Sequence, residues 1–125
     1  LRAALKADQT MHQAAYNLGI LLTDDKPKQS IKLLQKAFET TPTPRYGYTL
    51  AFYMQKRGDL DNACKMLLDV IKQWPVFADA YLLLGKIYEG QDKTDEARAL
   101  YLKAIDSVGL SLRDKQRVKV EFDKL

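Results

Sequence analysis

The stretch Ala80–Ile105, AYLLLGKIYEGQDKTDEARALYLKAI, holds Gly85 in the middle of a run whose Leu, Ile and Tyr recur at helical spacing, and a second run with Ala97 and Ala104 follows. Inside a helix Gly is worse than Ala by about 1 kcal/mol. A glycine there needs a compensating reason, and close approach of a backbone or a bulky side chain is the usual one. The stretch therefore predicts two helices broken at GQDKTD, residues 90–95, and packed together with small residues facing large ones.

Outward from this pair the same pattern continues. Apolar residues at a period of 3.6 predict helices over 10–24, 27–40, 44–57, 60–73, 77–91, 94–107 and 111–124, with almost no alternating β-pattern between them. The breaks TDDKP (23–27), TTPTP (40–44), KRGDLD (56–61), WPVF (74–77) and SVGLS (107–111) hold the Gly, Pro, Asp and Thr that stop or cap helices, and Asp59 and Thr94 are expected N-caps. Superimposing the segments exposes an internal repeat. Ala63 and Ala97 are 34 apart, as are Ala51 and Gly85; Pro42 and Pro75 are 33 apart, and Gly19 and Ala51 are 32 apart. The unit is a helix pair of about 34 residues with single-residue deletions in two loops.

These residues resemble the tetratricopeptide repeat, whose first helix carries an aromatic, then Leu-Gly, then Tyr, and whose second carries Ala, an aromatic, Ala and finally Pro. The last copy follows that pattern with Tyr81, Leu84, Gly85, Tyr88, Ala97, Tyr101 and Ala104, departing where Gly109 takes the proline slot. The middle copy keeps Leu50, Ala51, Ala63 and Pro75 but has Gly47, Met54, Leu67 and Val70 elsewhere. The first keeps Leu18, Gly19, Ala37 and Pro42, with Ala15, Leu22, Ser30 and Leu34 as substitutes. The resemblance implies an all-α, right-handed superhelical solenoid of antiparallel helix pairs, with Gly85 crossing the second helix against its alanines. Its repeats are expected at 10–43, 44–77 and 78–110, with a capping helix at 111–125. In that cap Val118, Phe122 and Leu125 form one apolar stripe among charged residues, and Lys119 takes a slot that a continuing repeat would fill with a small residue. Residues 1–9 are expected to be the remnant of an upstream repeat, because Gln9 precedes Gly19 by the ten residues that separate Pro75 from Gly85. The chain is read as the C-terminal part of a longer array similar to bacterial ones. Trp74 and Phe77 are expected to plug the joint between the second and third pairs.

Composition narrows the function classes. Twenty basic and sixteen acidic residues are mixed along the length, which points to a solvated surface rather than a nucleic-acid footprint. No apolar run reaches the ~20 residues that span a bilayer. Neither nucleic acid nor membrane is expected as a partner, and a cytoplasmic or a periplasmic setting fits equally. The single Cys64 excludes an internal disulfide and any CxxC motif, and is expected to be packing material. The single His12 has no Cys or His at ligand spacing and is expected on the surface or at a helix start. No GxSxG, P-loop, HExxH or GxGxxG occurs, and Asp24–Asp25 and Asp95–Glu96 sit where carboxylates cap helices. No enzyme activity, metal or cofactor is expected.

A binding function is the expectation instead. In the family, first helices line the concave surface, and its inward slots fall here on Gln13, Tyr16, Ile20, Thr23 and Asp24, on Arg45, Tyr48, Phe52, Gln55 and Lys56, and on Asp79, Leu82, Lys86, Glu89 and Gly90, of which Gln13, Tyr16, Ile20, Arg45, Tyr48, Phe52, Lys56, Leu82 and Lys86 are the expected contacts. The resemblance implies that these residues grip a protein or peptide. Two readings of that surface stand: a ligand-facing groove, and a groove filled by its own side chains or a neighbouring domain. The slots that hold an Hsp70 or Hsp90 C-terminal tail in chaperone adaptors carry Tyr16, Ile20, Thr49, Asp79 and Leu83, none matching, so that partner is not expected. The alternative function is self-assembly, as a homo-oligomer or on a parent array, through the N-terminal face at Leu1–Leu5.

Overall fold

The computed structural model describes the backbone of residues 2–125 and the side chains of residues 11–125. Among the described residues there are seven helices and no strand: α1 (Arg2–Leu21), α2 (Pro27–Thr40), α3 (Pro44–Lys56), α4 (Leu60–Gln73), α5 (Ala78–Gly90), α6 (Thr94–Ile105) and α7 (Leu112–Asp123). Their starts follow local chemistry. Pro27 and Pro44 open α2 and α3, where the fixed φ suits the first turn and the missing N–H would have had no intrahelical partner. Thr43 Oγ1 accepts from the Tyr46 N–H at 3.1 Å, and Ser111 Oγ accepts from the Asp114 N–H at 3.1 Å. Thr94 is not the N-cap expected of it. It is the first residue of α6, because the Lys93 carbonyl already accepts the first helical bond, from Ala97 N at 3.0 Å.

α1 differs most from expectation. It starts at Arg2 rather than near residue 10, and residues 2–18 contain neither Gly nor Pro to interrupt it. The backbone of the expected remnant, 1–9, thus continues α1 from residue 2, and its side chains lie outside the described residues. His12 consequently sits inside a helix, not at its start.

The helix ends show the repeat in backbone form. After α3, Gly58 N–H donates to Gln55 O and Asp59 N–H to Met54 O, both at 2.9 Å, and Gly58 takes φ +87°. Thirty-four residues on, Asp92 N–H donates to Glu89 O at 3.1 Å and Lys93 N–H to Tyr88 O at 2.8 Å, with Asp92 at φ +59°. Both are the paired-bond C-terminal motif that places one residue in the left-handed region, which glycine enters freely and other L-residues do not. Asp92→Gly is therefore expected to stabilise the protein by roughly 0.5 kcal/mol, read as a higher urea midpoint.

The described residues divide into two units, 1–59 and 60–125. The division falls beside the Gly58 turn, inside the second expected copy, while the copies at 10–43 and 78–110 each lie within one unit. In the first unit α1 packs on α2 and α2 on α3. Gly19 is buried there: a Cβ on it would lie 2.9 Å from Leu34 Cγ, and its carbonyl accepts from the buried Ser30 hydroxyl at 2.6 Å. Ser30, a departure from the repeat pattern, thus satisfies its one polar group at the helix crossing.

In the second unit α5 packs on α4, α6 and α7, and α6 also packs on α7. Its core holds Ala63, Leu67, Val70, Tyr81, Leu84, Ala97, Tyr101, Ala104 and Val118, none more than 1% exposed. Gly85 meets the Tyr101 ring of α6, which a Cβ at that position would penetrate. Tyr101 donates its hydroxyl proton to Glu89 Oε2 at 2.7 Å, and burial, then that bond, push its pKa up. Gly109, in the proline slot, lets Val76 approach: its Cγ1 would stand 2.5 Å from a Cβ at that position. In the turn at 74–77 Trp74 and Phe77 are half-buried while Pro75 and Val76 are exposed, and the Phe77 N–H donates to Trp74 O at 3.1 Å.

Candidate functional site

α1 and α3 carry the tyrosines of the first unit together with Phe52, and their spacing decides which of them meet. Tyr16 stacks on Tyr46 with ring centroids 4.4 Å apart and planes 21° apart, and its hydroxyl is hydrogen-bonded to Thr49 Oγ1 at 2.9 Å. Tyr46 OH reaches His12 Nδ1 at 3.1 Å, so the lone histidine is a hydrogen-bonded neighbour of the aromatic pair. Burial raises the Tyr46 pKa, with Tyr16 adding to the shift. Tyr16 is thereby held in one orientation by a stacking partner and a polar one.

Tyr16, Ile20, Tyr48 and Phe52 come together as the walls of an open cleft of about 330 Å³. Thr49 and Tyr53 complete it. Tyr53 meets Phe52 edge to face, with centroids 5.1 Å apart and planes at 85°. The family's slots do not flag Tyr53, although it lies one turn beyond Thr49 on α3, a spacing that brings side chains onto one face. Two cations stand over the aromatic wall: the Arg45 guanidinium carbon is 5.7 Å from the Tyr48 centroid, and Lys56 Nζ is 5.9 Å from that of Phe52. Gln13 is exposed on α1.

Tyr53 also lines a second cleft, of about 270 Å³, whose other walls include Thr23, Asp24, Ile31, Lys56 and Arg57. The two clefts share Tyr53 as a lining residue. On α1 a separate apolar stripe is exposed, with Met11 64%, Leu18 44% and Leu21 76% accessible. Leu18 holds the slot that is fully buried as Leu50 and Leu84 in the other copies.

The remaining two expected residues, Leu82 and Lys86, are on α5 in the second unit. Leu82 is half-buried, and Lys86 donates to Glu121 Oε2 of α7 at 3.2 Å. One turn apart on α7, Arg117 donates to Asp79 at 2.5 Å and to Asp114 at 3.1 Å. Asp79 and Lys86 of α5 thus pair with Arg117 and Glu121 of α7. The Lys86 hydrogen bond is the main reason the Glu121 carboxyl titrates below its ordinary range.

Cys64 is half-buried rather than enclosed, and burial raises its pKa against the opposing pull of Lys93, which leaves it a poor thiolate at neutral pH. No group of three or more His, Cys, Asp or Glu suited to a metal ion occurs among the described residues. None of the described helices is long and apolar enough to cross a membrane.

The tetratricopeptide-repeat profile matches residues 48–110. Among solved structures, the crystal structure of MamA superimposes with a TM-score of 0.68 at 26% identity, over 98% of this chain and 73% of MamA. The Sgt2 TPR domain from Aspergillus fumigatus superimposes with a TM-score of 0.66 at 19% identity, over 90% of this chain and 80% of that domain. No curated protein sequence matches. The seven helices, the 34-residue spacing and the small-against-large crossings agree with the profile: this chain belongs to the tetratricopeptide-repeat family and has its all-α solenoid fold.

Proposed function

We propose that the Tyr16–Ile20–Tyr48–Phe52 cleft is the contact surface through which this chain grips a protein or peptide. Tetratricopeptide domains generally bind proteins or peptides and typically serve as scaffolds without chemistry of their own. One observation carries the finer reading. Four of the nine expected residues share one open cleft, whose depth is not consumed by the internal Tyr16–Thr49 bond. Aromatic side chains held rigid by their neighbours suit this role, because they bury large area at small entropic cost. Arg45, Lys56 and Gln13 would supply polar contacts at its rim, and Leu82, on α5, is read separately as an apolar contact point of the second unit. Lys86 is read as an anchor of the capping helix that keeps its ammonium largely exposed.

The test compares partners recovered by the wild-type chain with those recovered by Tyr48→Ala/Phe52→Ala. Recovery of at least one partner is expected to fall tenfold or more while the helical signal in circular dichroism is kept. Equal recovery of every partner would remove the cleft from consideration.

The exposed stripe on α1 favours a second reading, association of copies through that face. If it operates, the chain elutes larger than its monomer mass, and Leu18→Glu/Leu21→Glu returns it to the monomer position. A wild-type monomer at high concentration rejects it.

A further inference from the structure

We infer that the cleft of the first unit selects a partner segment carrying a carboxylate about two residues from an apolar side chain. This rests on the reading of the cleft as a contact surface and adds the charge of its occupant.

The first observation is the partition of charge. Residues 1–59 contain nine basic and five acidic residues, whereas 60–125 contain eleven of each. The whole net charge of +4 therefore belongs to the unit that carries the aromatic cleft. Mixing along the sequence conceals this, and only the division at 59 reveals it.

The second is where that charge is uncommitted. The ion pairs described above all belong to the second unit, where acids and bases neutralise one another. Lys56 and Arg57, by contrast, form no ion pair with a described residue. Consecutive at the end of α3, they line the second cleft together with the exposed Asp24, which leaves its lining one positive charge in excess. A carboxylate can accept from either cation without breaking a protein ion pair.

The third is distance. Lys56 Nζ lies 5.9 Å from the Phe52 ring centroid, and Tyr53 walls both clefts. Along an extended peptide, side chains on one face recur every second residue, about 6.8 Å apart. An apolar side chain seated against Phe52 thus brings an Asp or Glu two positions away to the Lys56 ammonium. A basic segment would meet like charge at the same place, so the geometry discriminates by repulsion as well as attraction.

The experiment is selection from a displayed library of random dodecapeptides on the immobilised full chain, followed by affinity measurement with dye-labelled versions of the enriched sequences. Enrichment of Asp or Glu two residues from Leu, Ile, Phe or Trp is expected. Lys56→Glu/Arg57→Glu should weaken those peptides about tenfold and shift selection toward Lys and Arg, while Tyr48→Ala/Phe52→Ala should remove the apolar preference. If apolar peptides are enriched with no acidic bias and the charge-reversed variant binds them equally, the inference falls and the contact surface stands. If nothing is enriched, or the peptides still bind Tyr48→Ala/Phe52→Ala, the contact surface itself falls. Displacement of bound peptide by a single-stranded oligonucleotide at equal or lower concentration would overturn the choice of an acidic peptide as the occupant.

Discussion

Gly85→Ala is expected to destabilise the 60–125 unit by about 2 kcal/mol, against a helix propensity that favours Ala by about 1 kcal/mol. The two effects oppose each other, so the sign of the change is itself the test. Propensity acts wherever a helical glycine is replaced. The steric effect acts where the space is already filled, and a methyl at 85 would occupy the space of the Tyr101 ring. That ring cannot retreat cheaply: it is fully buried and tethered by its hydroxyl to Glu89 at 2.7 Å. Gly90, the last residue of the same helix, has open space where a methyl would stand, with nothing within 4 Å, so Gly90→Ala should gain up to about 1 kcal/mol. The single tryptophan, Trp74, lies in this unit, so its fluorescence in a urea titration follows the relevant transition. A Tyr101→Leu background makes room for the methyl, and a double-mutant cycle should return a coupling of at least about 1 kcal/mol. A raised midpoint for Gly85→Ala would show that the crossing at Tyr101 is wrong.

The same glycine marks how far sequence can be read. That position 85 needs a missing Cβ follows from propensity alone, but its neighbour does not. The repeat pattern assigns slots and not side-chain directions, so it names the alanines and does not show that the Tyr101 ring comes first against the missing Cβ. Helix limits were legible because Pro27, Pro44, Gly58 and Ser111 encode them locally. The left-handed residue after α5 was not, since Gly90 looks like the turn glycine while the hydrogen-bond register puts Asp92 there. In the candidate site, Tyr16, Ile20, Tyr48 and Phe52 were legible from periodic slots on successive first helices. Lys86 was not, because its partner Glu121 lies 35 residues on, in a helix whose docking the repeat pattern does not define. Tyr53 escaped for the related reason that a side chain walling two clefts belongs to no single slot.

Val118→Asp tests whether the capping helix is part of the second unit's fold or an accessory to it. Val118 is fully buried where α7 packs on α5 and α6, while Phe122 and Leu125, the rest of the expected stripe, are half-buried. An ionised carboxylate at 118 would lose its hydration and leave the valine's apolar contacts unmade, an effect of about 3 kcal/mol or more. Val120, 44% exposed two residues on, provides the control, and Val120→Asp should change stability by less than about 0.5 kcal/mol. If α7 folds together with α4–α6, the Trp74 transition moves to lower urea in Val118→Asp and stays in place in Val120→Asp. The pairs Asp79–Arg117 and Lys86–Glu121 cannot hold the helix in place of Val118, because exposed ion pairs contribute only about 0–1 kcal/mol each. Were Val118→Asp to leave the Trp74 midpoint where Val120→Asp leaves it, while amide exchange over 112–123 accelerates, the cap would be an independently detachable segment. The apolar face of α5 and α6 beneath it would then be the surface it releases.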